Sequence, residues 1–158
     1  MLFLVTGTHT GSIPVRVSLW DSEPDLGDWP EIVEASPIPH GDGGLWPWGE
    51  TPVVEFPLPA ESYRVRWNSR AMDEGAADAD VEFGDPSPDS YELMLWPAPV
   101  APERIIRQDS IQAACWHPRA SPKADAKGGT CGAREGPGWR SLSVANRGFL
   151  LVRLRGVR

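Results

Sequence analysis

An all-β fold is predicted for this chain: an antiparallel β-sandwich or partly open barrel, followed by a short, mostly irregular basic tail. Three observations predict it. Apolar and polar residues alternate with period 2 in successive short runs, the pattern of a strand with one buried and one wetted face. The runs are separated by clusters of Pro and Gly, 17 and 16 residues in the whole chain, which punctuate short strands joined by turns. Charge also reverses along the chain. Residues 1–112 hold 20 Asp and Glu against 6 Arg, a formal −14, whereas residues 113–158 hold 2 acids against 9 bases, a formal +7. Residues 1–117 are therefore read as an acidic β-domain and residues 118–158 as a basic Gly-, Pro- and Arg-rich tail. At 158 residues the chain has room for about one domain and its core. Eight Trp among its aromatics would dominate that core.

Leu2 to Val5 is the first apolar run. It lacks a basic flank and ends after four apolar residues, so it is not a signal peptide. It is expected to pair with Val15 to Trp20 across a Gly-containing loop. In that second run Val15, Val17 and Leu19 alternate with Arg16 and Ser18. Ile32-Val33 and Val53 to Phe56 are shorter candidates. Tyr63, Val65 and Trp67 alternate with Arg64 and Arg66, and Tyr91, Leu93 and Leu95 alternate with Glu92, Met94 and Trp96. Five or six strands result. Ala71 to Val81 holds helix formers but also Gly75 and no apolar stripe, and reads as an exposed loop. Pro102 to Arg107 reads as one short helical turn opened by Pro. Residues 118–138 are low in apolar content, which predicts disorder. Within the tail, residues 141–154 read as a hairpin around Asn146-Arg-Gly148.

No stretch approaches the ~18 apolar residues of a membrane span, so a soluble, cytoplasmic protein with no membrane partner is expected. Two cysteines, Cys115 and Cys131, without a secretory signal predict free thiols.

No catalytic signature stands out. Gly7-Thr-His-Thr-Gly11-Ser12 resembles a phosphate loop only in its glycines, since the Lys before Ser12 is missing and no helix follows. A turn between strands with His9 at its tip explains it better. His9, His40 and His117 have no local partner that would make one of them a base. Cys115, His117 and Cys131 supply three zinc ligands where a structural site needs four. Asp21, Glu23 and Asp25 resemble a calcium loop, but Pro24 and the missing closing Glu weaken that reading. No cofactor is expected. Arg64, Arg66 and Arg70, which with Trp67 could stack and bind phosphate, are expected instead to form an internal ion pair with Asp73 or Glu74.

The charge distribution instead favours a non-enzymatic domain that presents carboxylates to a basic protein such as a nuclease. The candidate contact residues are Asp21, Glu23, Asp25, Asp28 and Glu31. Nucleic acid is repelled by the acidic part and would be touched only weakly, by the tail. Two alternatives are kept: a small metal-dependent hydrolase using Asp21, Asp25, His9 or His40, and a regulatory domain whose basic tail folds onto the acidic face.

At Trp20-Asp-Ser-Glu-Pro24, Asp28-Trp-Pro-Glu-Ile-Val-Glu34, Leu58-Pro-Ala-Glu-Ser-Tyr-Arg-Val-Arg66, Arg70-Ala-Met-Asp73 and Tyr91-Glu-Leu-Met-Leu-Trp-Pro-Ala-Pro99, the chain resembles a group of uncharacterised actinobacterial proteins. The resemblance covers about residues 1–117. Through an Asp-Trp and a Leu-Pro-x-x-x-Tyr strand entry, the group is distantly similar to the competence protein J family, inhibitors of a DNA-entry nuclease. The resemblance implies a compact β-sandwich, a nuclease as partner and no catalytic residues. Members of the group have further strands before the position of Met1 and stop near Trp116. It therefore also implies an exposed edge strand and a tail without counterpart.

Overall fold

The structure, a computed structural model, describes residues 2–9, 12–39, 41–46, 53–60, 62–77 and 85–116, and the backbone of 149–154. In chain order they form β1 (Leu2–Val5), β2 (Val15–Leu19), β3 (Glu31–Ala35), β4 (Gly43–Trp46), β5 (Val54–Phe56), β6 (Tyr63–Arg70), α1 (Met72–Ala77), β7 (Ser90–Pro97), β8 (Arg104–Arg107), α2 (Ile111–Trp116) and β9 (Phe149–Leu154). Strands predominate, as the alternation predicts. They make two open sheets, ordered β1-β9-β4-β5 and β2-β7-β6-β3-β8, and neither closes into a barrel.

Period 2 decides which side chains share the core. Tyr63, Val65 and Trp67 of β6 and Tyr91, Leu93 and Leu95 of β7 join one apolar cluster with Leu4 of β1, Leu45 of β4 and Phe56 of β5. The cluster thus takes side chains from both sheets. Each large apolar side chain fully withdrawn from water contributes roughly 1.5–3 kcal/mol. Trp67 and Tyr91 stack with centroids 4.8 Å apart and planes 10° from parallel. Gly44 of β4 has no room for a side chain, because a Cβ there would meet the Trp46 ring at 2.6 Å and Val54 O at 2.9 Å.

Several expectations fail, each for a physical reason. Leu2 to Val5 does not pair with Val15 to Trp20. β1 runs antiparallel to β9, with Leu2 opposite Val152, and β2 runs parallel to β7, with Val15 opposite Tyr91. A parallel neighbour cannot be reached by a hairpin. The Pro102 to Arg107 turn is not helical: Arg104–Arg107 is β8, captured by the open side of β3 with a register shift between Ile32 and Val33. Ala71 to Val81 is not all loop. Ala71, at φ 59°, turns the chain out of β6 into α1, whose Met72 and Gly75 are buried and whose first turn carries Asp73 and Glu74. Acidic residues there complement the helix dipole.

The last segment also differs from a mostly irregular tail. Residues 149–154 form a strand, but its partners are β1 and β4, not residues 141–145. The first half of the expected hairpin and the disorder expected over 118–138 lie outside the described residues. Cys115 is disulfide-bonded, so the expected free thiol is absent there. Among the described residues no helix is long and apolar enough to cross a membrane.

Candidate functional site

The face of β3 and β6 opposite the apolar cluster is polar yet enclosed. Alternation sends Glu34 of β3 and Arg64, Arg66 and Asn68 of β6 to this side, and Glu34 lies directly across from Arg66. Glu34 is completely buried and accepts from three guanidinium groups: Arg66 Nε at 2.8 Å on Oε1, Arg64 Nε at 3.0 Å and Arg104 Nε at 2.8 Å on Oε2. Arg66 is itself completely buried and stacks on the Trp96 ring, 4.9 Å from its centroid. Burial opposes charge on Glu34, but hydrogen bonds from Arg104, Arg66 and Arg64 outweigh it and hold the carboxyl below its usual range.

These arginines do more than neutralise Glu34. Arg64 Nη1 donates to Ala101 O and Pro102 O at 3.0 and 2.9 Å, fastening the chain ahead of β8. Arg66 Nη1 donates to Pro24 O at 2.8 Å and Asp25 O at 3.2 Å. Arg70 donates to Asp28 O and packs over the Trp29 ring. Arg107 Nη1 donates to Gly27 O and Trp29 O, both at 3.0 Å. Gly27 takes the positive φ of 65° that turns the loop toward Arg107. The segment between β2 and β3 is therefore held over the sheet by three guanidinium groups acting mainly on its main-chain oxygens.

The five expected contact residues separate on this frame. Asp21, Asp25 and Asp28 are exposed, and among the described residues their carboxylates accept no hydrogen bond and form no ion pair. Glu23 is 57% exposed but reaches Arg66 at 3.1 Å and Arg104 at 3.7 Å. Glu31 is not at the surface. It is 3% exposed and its Oε1 accepts from Asp109 N at 2.9 Å and from Ser110 N. Burial pushes its carboxyl up, against those two bonds. It also borders a largely apolar cavity of about 230 Å³ with Leu4, Val33, Trp67 and Met72. Its inward direction was legible in the alternation of β3, where Glu31, Val33 and Ala35 share one face.

Arg64, Arg66 and Arg70 do not pair with Asp73 or Glu74. Asp73 accepts from Ile111 N at 3.0 Å and Gln112 N at 2.7 Å, joining α1 to the start of α2. Sequence reasoning missed Glu34 and Arg104 because the node they build joins three strands distant in the chain.

A second enclosed network accounts for the glycine-rich turn. Gly7 N donates to Tyr91 Oη at 2.6 Å and Thr8 N to Asp89 Oδ2 at 2.8 Å, and Tyr91 Oη donates to the same Asp89 oxygen at 2.5 Å. Two of the amides a phosphate would need, those of Gly7 and Thr8, are thus spent inside the fold. Asp89 is wholly buried, which opposes its charge, but hydrogen bonds from Tyr91, Thr8 and Ser87 hold its carboxyl low. Tyr91 is pushed far above the ordinary phenol range by burial and by Asp89. Thr8 Oγ1 donates to Gly75 O at 3.2 Å, and a Cβ on Gly75 would meet Asp89 Cγ at 2.5 Å. His9 is exposed beside this network. His40, His117 and Cys131 lie outside the described residues. Among the described residues no three His, Cys, Asp or Glu side chains converge to hold a metal ion.

Fold and site together define an all-β protein with an arginine-braced acidic loop on one face of its larger sheet. Compared with known proteins, the chain matches no family model, no curated sequence and no solved structure.

Proposed function

We propose that this is a non-enzymatic acidic β-sandwich domain that binds a basic protein through the loop between β2 and β3. One observation carries the reading. Arg66, Arg70 and Arg107 hold the loop by its main-chain oxygens, which leaves Asp21, Asp25 and Asp28 outward with their charge uncompensated. A surface already ordered before binding loses little entropy when a partner arrives. Opposed potentials then raise the association rate and select the partner. The resemblance to the competence protein J family would make that partner a nuclease. Glu23, exposed but paired with Arg66 and Arg104, and Glu31, buried where the chain enters α2, drop out of the contact set.

The test is retention of proteins from a cell extract on the immobilised 158-residue chain at low and high salt. Wild type is compared with Asp21→Asn/Asp25→Asn/Asp28→Asn and with a control of equal charge change, Glu55→Gln/Glu74→Gln/Asp85→Asn. A basic protein held at low salt by wild type and control, but not by the loop variant, is expected. Equal retention by the loop variant refutes the reading.

A further inference from the structure

β2 is an edge strand whose one neighbour in the five-stranded sheet is β7. Two hydrogen bonds establish which of its main-chain groups face outward. Tyr91 N donates to Pro14 O at 3.0 Å, and Trp20 N donates to Leu95 O at 2.8 Å. Main-chain groups alternate in direction along a strand, so Pro14, Arg16, Ser18 and Trp20 face β7. Val15, Val17 and Leu19 therefore point their N–H and C=O groups away from the sheet. Among the described residues nothing pairs with them.

The two edges of this sheet are unlike. β8 carries Arg104 and Arg107 and pairs with a register shift, features that discourage a further strand. β2 carries one charge, Arg16, and runs into Leu19 and Trp20, which are 47% and 46% exposed. The next residue is Asp21, the first carboxylate of the acidic loop.

We propose that the β2 edge takes an extended, Lys- or Arg-bearing segment of a partner protein as an added strand, with a basic side chain near its end meeting Asp21, where β2 runs into the acidic loop. This rests on the reading of the loop as a surface for a basic partner and states how that partner engages. Main-chain hydrogen bonds to Val15, Val17 and Leu19 supply affinity, and alternate side chains supply specificity. Charge selects the occupant. A second copy would bring two regions of formal −14 together, whereas a basic segment is drawn to the same place.

The probe is a blocked ten-residue peptide of alternating Lys and Val. It is compared with the same peptide N-methylated at two consecutive central residues, which removes a main-chain donor from each edge and keeps the charge. Binding to the full chain is measured by titration calorimetry at low salt. The methylated peptide is expected to bind roughly tenfold more weakly, the effect of losing one or two main-chain hydrogen bonds. Val17→Pro removes an outward N–H without touching the bonds to β7, a substitution an edge strand accepts. It is expected to weaken the unmethylated peptide by a similar factor.

Equal binding of the two peptides overturns strand addition. The acidic reading then survives if Asp21→Asn/Asp25→Asn/Asp28→Asn weakens both alike. Absence of binding by the unmethylated peptide also overturns the proposal. So does wild-type self-association that Val17→Pro abolishes without any difference between peptides, because the edge then serves a second copy. Should Val17→Pro fail to fold, the peptide pair decides alone.

Discussion

Arg66 and Glu34 face each other across β6 and β3, joined at 2.8 Å with both side chains fully enclosed. A buried pair of this kind adds little over an apolar pair of similar volume, but losing one member leaves charge stranded in a poor solvent. Here Glu34 is the shared anion for three guanidinium groups, so the two partners are not equivalent.

Glu34→Ala is expected to cost about 3–5 kcal/mol of stability near neutral pH, the range for breaking a buried pair from one side. Urea unfolding followed by tryptophan fluorescence measures it. A loss within that of an exposed substitution would show that the three arginines re-solvate without Glu34.

Two carboxyls titrate with opposite consequences. Glu34 is held below its usual value of 4.5. Its contribution to stability is present above the unfolded value and is lost as pH falls through the folded one. Glu31 is raised from 4.5, so its contribution is present below the unfolded value and is lost as pH rises through the folded one. As pH falls from about 7 toward 4.5, wild type should gain on Glu31→Gln, and as pH falls further, to about 3, the advantage of wild type over Glu34→Gln should shrink. Unfolding free energies of the three proteins across that range check both signs.

Asp89→Asn weakens the acceptor that binds Thr8 N and Tyr91 Oη. Hydrogen bonds to a charged group contribute about 1.5–3 kcal/mol each, so a loss of that order is expected. Amide hydrogen exchange should quicken first at Gly7 and Thr8. Unchanged exchange there would separate the turn from the carboxylate.

Arg107→Ala removes the donor to Gly27 O and Trp29 O while leaving Arg66 on the same loop. A global loss of about 1 kcal/mol is expected. The larger effect should be local, as faster proteolytic cleavage within residues 21–29, because that segment opens below the global unfolding energy.

Alternation alone located β2, β6 and β7 and sorted which side chains share a face, because a residue's side of a strand follows from its position in the run. The face expected to be wet is nevertheless buried on β6 and β7, and Leu19 of β2 is exposed. It did not reveal partners. Leu2 to Val5 carries no mark of preference for β9 over β2, and that choice is made by tertiary packing. β4 was hidden behind Gly43 and Gly44, which read as punctuation, yet Gly44 is where Trp46 leaves no space for a Cβ. The short helices escaped because six residues cannot display a stripe. In the acidic loop, Asp21, Asp25 and Asp28 were legible as surface groups, whereas Glu31 required the phase of β3 to be followed one residue earlier. Arg64 and Arg66 stood out as a pair on one face, but their shared anion lies 30 or more residues away, at Glu34.

The pairing of β1 with β9 sets an order of assembly during synthesis. Every strand of the five-stranded sheet has been made once residue 107 is translated, so that sheet is free to form first. The other sheet has to wait: Leu2 meets Val152, and β9 stands between β1 and β4. Until then β1 and β4 lack their shared neighbour. Closing contacts between the ends of a chain is slow, so the nascent protein holds two open strand edges for the whole interval, and a chain stopped before residue 149 never covers them.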